Sequence, residues 1–218
     1  LSASARAIER IRRSETFGLD PMEPRFAFEK VFERMRARRA RIAPNDSVER
    51  FESLGVEVFK GQAVFRSPHE VEVDGTMLRA KHFVIASGRR PGIPPISGIE
   101  DVPYFTNETI FDELNEKPDS IVIIGAGPIG CELGQVFNRL GVRTTLVEFL
   151  PQIMGKEDPE VAAFVQARLE DEGVTVLTDT GIQLAERRND EVYLEAVRKT
   201  ESGGTETVSL STKALLIA

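Results

Sequence analysis

Residues 120–149 read SIVIIGAGPIGCELGQVFNRLGVRTTLVEF, and no other stretch limits the fold as tightly. An apolar run meets glycines at Gly125, Gly127 and Gly130, spaced G-x-G-x-x-G, and a second apolar run closes on Glu148. Strand is expected over 121–124, helix over about 128–140 and strand over 144–148. Two parallel strands need a crossover of this length, so the segment specifies a βαβ unit.

Each residue of the bend has a physical task. Gly125 permits the tight turn, Gly127 lets the backbone approach a pyrophosphate, and Gly130 lets the helix pack closely on the strand. Pro128 and Ile129 open the helix, whose amino end offers unpaired N–H groups and a positive dipole to an anion. Glu148, at the tip of the second strand, can accept hydrogen bonds from both ribose hydroxyls of an adenosine. It would repel a 2′-phosphate, and EFLPQIMGK supplies no arginine to receive one, which favours NAD over NADP. The plain alternative is a glycine-rich turn with an exposed glutamate and no ligand.

Upstream, LSASARAIERIRR places Ala7, Ile8 and Ile11 at helical spacing. FAFEKVFERMRARRARI does the same with Phe28, Val31, Phe32, Met35 and Ile42, and Pro44 ends it. NDSVERFESLG predicts a helix capped by Asn45 or Asp46 and stopped by Gly55. From Val56 the pattern turns to strands, in VEVFKGQAVFRS, in HEVEVDG with a turn at Asp74-Gly75, and in MLRAKHFVIA. RRPGIPPISGIEDVP is rich in Pro and Gly and is expected to be extended, and NETIFDEL to be a short helix. After Glu148 a helix is expected with Val161, Phe164, Val165 and Leu169 on one face, followed by the strand VTVL. The tail then reads as a meander of short strands that rejoins the sheet through ALLIA. The fold class is therefore α/β, a Rossmann-like parallel sheet with an antiparallel meander.

A net charge of −7 argues against a nucleic-acid partner, and the basic run KVFERMRARRAR is interrupted by Glu33 and turned away from the apolar stripe. The apolar runs are too short to span a bilayer, and no leader opens the chain. Cys131 is the single cysteine, so an intrachain disulfide is impossible and a cytoplasmic setting is the default. Its place near a helix amino end could lower its pKa, but the expected role is that of a small buried residue. His69, in a turn, and His82, in a strand, share no ligand spacing, so no metal site is expected. A start at Leu1 rather than Met, and an end on a buried-strand pattern, read as a piece of something longer.

With FVIASGRRPGIPPISGI ahead of IVIIGAGPIGCELG, the chain resembles the class I pyridine nucleotide–disulfide oxidoreductases over nearly its whole length. TNETIF and RTTLVE lean toward the dihydrolipoamide dehydrogenase and mercuric reductase branch. The resemblance implies a partial FAD-binding domain over 1–117 and an NAD-binding domain over 118–218. It implies that Ala63, in Gly61-Gln62-Ala63, and Ala86, Ser87 and Gly88 lie by FAD. It implies a ribose contact for Glu148, an adenine contact for Ile182, and for Glu132 a catalytic place near the nicotinamide–flavin contact. The family's first G-x-G-x-x-G, its C-x-x-x-x-C disulfide and the lysine partner of Glu132 are not in the sequence, and Pro128 stands where some members carry a gating tyrosine. The parent protein implied is a homodimeric FAD enzyme passing a hydride from NADH to FAD and electrons to a disulfide or small-molecule acceptor. The other reading is an NAD-binding module without flavin or turnover.

Overall fold

The structure, a computed structural model, describes residues 1–200 and 202–218, so Glu201 in the meander lies outside the described residues. Backbone packing divides the chain into two compact units, Leu1–Arg36 with Pro91–Ala218, and Ala37–Arg90. The boundary expected at 117/118 follows the motifs; packing alone groups the opening helices and residues 91–117 with the glycine-rich segment.

Helix α1 (Ser2–Arg12) buries Ala5 and Ile8, whereas Ala7 and Ile11 of the expected stripe face outward. Helix α2 (Phe28–Ile42) buries Phe28, Val31 and Phe32, with Met35 partly buried and Ile42 exposed. The stripe therefore stops before the helix does, and Pro44 enters a 3-10 turn at Ala43–Asp46.

In the Ala37–Arg90 unit, helix α3 (Val48–Ser53) is capped by Ser47, whose hydroxyl accepts the Arg50 N–H at 3.2 Å. Asn45 and Asp46, the expected caps, sit inside the 3-10 turn, which places Ser47 at the helix entrance. Gly55 follows at φ +85°, as a helix stop requires. Strands β1 (Ala63–Ser67), β2 (Glu70–Val73) and β3 (Thr76–Arg79) form an antiparallel sheet in that order. Asp74 and Gly75, both at positive φ, make the β2–β3 turn. Two strand expectations fail here. Residues 56–62 and 80–86 have no ladder partner among the described residues, and His82 is outside any strand.

Residues 91–104 contain no α-helix, as expected, and only one 3-10 turn at Ile99–Asp101, with Ser97 bridging to Leu184. Strand β4 (Phe105–Thr106) and helix α4 (Ile110–Glu113) follow. Strand β5 (Ser120–Ile124), helix α5 (Pro128–Arg139) and strand β6 (Arg143–Val147) form the expected βαβ unit. Helix α6 (Pro159–Asp171) leads to β7 (Thr175–Leu177). The meander is β8 (Thr180–Arg188), β9 (Glu191–Lys199) and β10 (Thr205–Thr212), and β11 (Ala214–Ile217) returns to the parallel sheet. The five-stranded order is β4-β11-β5-β6-β7, all parallel.

Alternation along these strands fills two cores. Ile121, Ile123, Leu146, Ala214 and Leu216 face the helices, while Val122, Val147, Leu215 and Ile217 face the meander. Burial on both faces is why the runs read as continuously apolar. On α6 the buried residues are Ala162 and Leu169, while Phe164 is 75% exposed and Val161 is also exposed. The expected apolar face thus points partly outward.

The helix layer is tied by charge. The Glu172 side chain, 1% exposed, meets Arg139 at 2.6 Å and Arg168 at 2.8 Å. Arg13, the residue that ends α1, bridges Glu9 and Asp171 at 2.6 and 2.8 Å. No helix is long and apolar enough to cross a membrane among the described residues.

Candidate functional site

The carboxyl ends of β5, β6 and β11 meet in a crevice, where ligands of open parallel sheets are held. A cavity of about 730 Å³ opens there, walled by residues 92–96, Gly125, Glu148, Phe149, residues 180–183 and Ala218. Of the residues singled out in the sequence, Gly125, Glu148 and Ile182 line this cavity; Gly127, Pro128, Ile129 and Gly130 follow Gly125 in the chain and are not among its lining residues.

The three glycines differ in what constrains them. Gly125 has φ +98°, and a side chain there would come within 2.5 Å of the Ala218 carbonyl oxygen. At Gly130 an added Cβ would overlap the Gly125 carbonyl oxygen, so α5 lies against the end of β5 only because the position is bare. Gly127 faces open space and has an ordinary φ of −70°. Folding therefore requires the first and third glycines, while the middle one leaves room for a ligand.

Pro128 begins α5, and the first bond of that helix runs from the Cys131 N–H to the Gly127 carbonyl at 2.9 Å. The amides before it lie at the orphan amino end. Ile129 is exposed beside them.

Glu148, half-buried just past β6, turns toward the bend. Its Oε2 accepts the Ala126 N–H at 2.8 Å and its Oε1 accepts the Leu150 N–H at 3.0 Å. Each carboxylate oxygen keeps a second lone pair for a ligand hydroxyl. Cys131 is buried, and its Sγ–H donates to the Ala126 carbonyl at 3.3 Å. Burial, and then the nearby Glu148 carboxylate, push this thiol up to about 11. The helix amino end does not activate it, in line with the small buried role.

Glu132 is exposed on α5 and accepts the Ser2 hydroxyl at 2.7 Å, away from the cavity wall. Ala63 opens β1, and Ala86, Ser87 and Gly88 follow β3 as exposed backbone, all in the Ala37–Arg90 unit. Gly88 has φ +71° with nothing near its Cα face. Among the described residues no three His, Cys, Asp or Glu side chains are arranged to hold a metal ion.

Phe149 and Gly181 escaped the sequence reading. The Phe149 ring lies on Gly181, where an added methyl would approach it to 3.2 Å, and both wall the cavity. A large apolar residue directly after the strand-tip acid was the available signal. The partner, Gly181 in β8, is distant in sequence.

The family described as pyridine nucleotide-disulphide oxidoreductase matches residues 12–218. The mercuric reductase of Lysinibacillus sphaericus is 34% identical over 152 residues, covering 70% of this chain and 27% of that protein. The dihydrolipoyl dehydrogenase of Thermus scotoductus is 38% identical over 148 residues, 66% of this chain and 31% of that protein. The structure of the HOCl-induced flavoprotein disulfide reductase RclA from Escherichia coli, in a Cu(II) complex, superposes with a TM-score of 0.72 at 23% identity. It covers 88% of this chain and 42% of that one, a likeness of fold. The matched part spans under a third of the two curated relatives. A βαβ bend with this spacing, matched almost end to end, decides the family: the chain belongs to the pyridine nucleotide-disulphide oxidoreductases.

Proposed function

We propose that the crevice binds NAD(H) and that the chain is the nucleotide-handling part of a flavin-dependent oxidoreductase. One observation carries this reading: bare backbone at Gly127 faces open space, while Glu148 lines the cavity and holds the preceding Ala126 amide. The diphosphate rests at the amino end of α5 against Gly125, Gly127, Pro128, Ile129 and Gly130. Glu148 takes the adenosine ribose, and Ile182 lies by the adenine. When bound, NADH supplies a hydride and FAD relays its two electrons to a disulfide or small-molecule acceptor. Glu148 disfavours a 2′-phosphate by like charge, so NAD is preferred to NADP.

In this reading residues 1–117 belong to a flavin domain and 118–218 to the NAD domain. Ala63, Ala86, Ser87 and Gly88 offer small exposed main chain to FAD, and Glu132 sits by the nicotinamide–flavin contact. In this reading the full-length protein is a homodimer, and a cytoplasmic setting rests on the one cysteine within these 218 residues.

A second reading has one observation behind it. The single thiol, Cys131, is buried and hydrogen-bonded, which leaves this chain no dithiol relay of its own. The chain by itself is then an NAD-binding module without turnover.

Calorimetric titration of Glu148→Arg tests the common core. NAD affinity is expected to fall at least about tenfold, with preference moving toward NADP. Unchanged NAD affinity would remove Glu148 from the ribose. Flavin absorbance in the purified chain separates the two readings, since a pure module carries none.

A further inference from the structure

Ala126, between the first two glycines, is wholly buried and held on both of its polar groups. Its N–H donates to Glu148 at 2.8 Å. Its carbonyl accepts twice, from the Met154 N–H at 2.7 Å and from the Cys131 thiol at 3.3 Å. Met154 reaches this position with φ +49°, a conformation that residues with side chains rarely adopt. A strained backbone persists only where its surroundings hold it, and such positions cluster around ligand clamps.

The consequence lies in the next peptide plane. The Ala126–Gly127 peptide is trans, so its C=O and N–H point in opposite directions. Fixing the Ala126 carbonyl inward on Cys131 and Met154 turns the Gly127 N–H outward, on a residue that borders open space. The geometry points to Cys131 and Met154 as positioning residues that aim the Gly127 amide at the ligand's diphosphate. This deepens the NAD reading and rests on it. Cys131 is protonated at neutral pH, with burial raising its pKa further, so it donates a hydrogen bond and adds no negative charge beside the phosphates.

The test is an NMR titration of the 15N-labelled chain with NAD, ADP-ribose and adenosine, the last lacking a diphosphate. In the unmutated protein the Gly127 amide resonance is expected to move with NAD and ADP-ribose and to stay in place with adenosine. Cys131→Ala and Cys131→Val remove the donor, and Val keeps the space filled. Both are expected to weaken ADP-ribose about three- to fivefold, the worth of a weak hydrogen bond, with adenosine unchanged. Cys131→Ser, which restores a donor, is expected to recover most of the loss and the Gly127 shift.

Undiminished ADP-ribose affinity in both apolar variants would overturn the positioning role and leave the nucleotide reading intact. Equal weakening of adenosine and ADP-ribose would also overturn it, as general loosening. If the apolar variants fail to fold while Cys131→Ser folds, the donor serves the fold and the aiming role is wrong. An unmutated chain that binds ADP-ribose no better than adenosine would sink the nucleotide reading itself.

Discussion

Two apolar runs of similar composition meet opposite fates in this molecule. SIVII of β5 is buried along nearly its whole length between two parallel neighbours. HFVIA, at residues 82–86, makes no ladder, and Val84 and Ile85 are 91% and 76% exposed. Only Val71 and Val73 are buried hydrophobics in the whole Ala37–Arg90 unit. Strand propensity is a fit to a half-buried pleated surface, and without a partner it fixes no strand. In the first run, helix, sheet and bend constrain one another; in the second, only local turns do.

The sharpest way to break this comparison is a methyl group on a glycine. Gly130→Ala drives a Cβ into the Gly125 carbonyl oxygen, and both atoms belong to backbone held by helix and sheet. A loss of about 3 kcal/mol is expected in urea unfolding, against a helix-propensity gain of about 1 kcal/mol. In the other unit Gly55→Ala meets no atom within 4 Å and faces only its φ of +85°. About 1 kcal/mol is expected there. Equal losses at the two positions would mean that interlocking adds nothing.

Gly127→Val asks the next question within the bend itself. The position is open and its φ suits any residue, so stability should drop by only about 1 kcal/mol, the cost of a poor helix cap. NAD affinity should fall at least about tenfold, because the side chain would stand where the diphosphate approaches. Calorimetry and urea titration on the same preparation check both halves. Normal NAD binding would show that the bend is not the phosphate site.

These two glycines also show how much the sequence could reveal. The βαβ unit, the parallel sheet, the tight turn at Gly125 and the close packing at Gly130 were legible because each depends on a local pattern. Glu148 was legible by its distance from the bend, though its bond to the Ala126 amide was not. Ser47 replaced the expected caps because a 3-10 turn consumed Asn45 and Asp46, a choice that spacing alone does not settle. Phe164 and Val161 read as core, and the packing of α6 through Ala162 and Leu169 leaves them outside. Phe149 was missed because its neighbour Gly181 arrives from another element.

A smaller effect is expected from pH at Cys131. The folded chain holds the thiol at about 11, above its ordinary value of 9.0, through burial and then the Glu148 charge. Below pH 9 both folded and unfolded chains keep the proton, and the thiol adds no pH dependence. Between 9 and 11 the unfolded chain releases it first, so stability should decline as pH rises through that window. Alkylation by iodoacetamide at pH 8 should be slow in the folded chain and fast in urea. Rapid labelling of the folded chain at pH 8 would contradict the buried, protonated thiol.

The smallest change is expected in the exposed run. Val84→Ser replaces a side chain that is 91% exposed, so neither apolar burial nor packing is lost. Surface substitutions of this kind fall within about 0.5 kcal/mol, and the urea midpoint should barely move. If Val84→Ser instead costs more than about 1 kcal/mol, residues 82–86 are covered in solution and the two regions differ less than their exposures state. Repeating the titration over a hundredfold range of protein concentration then tells what covers them. A cost that grows with concentration points to a second copy of the chain, and a constant cost places the cover within the same molecule.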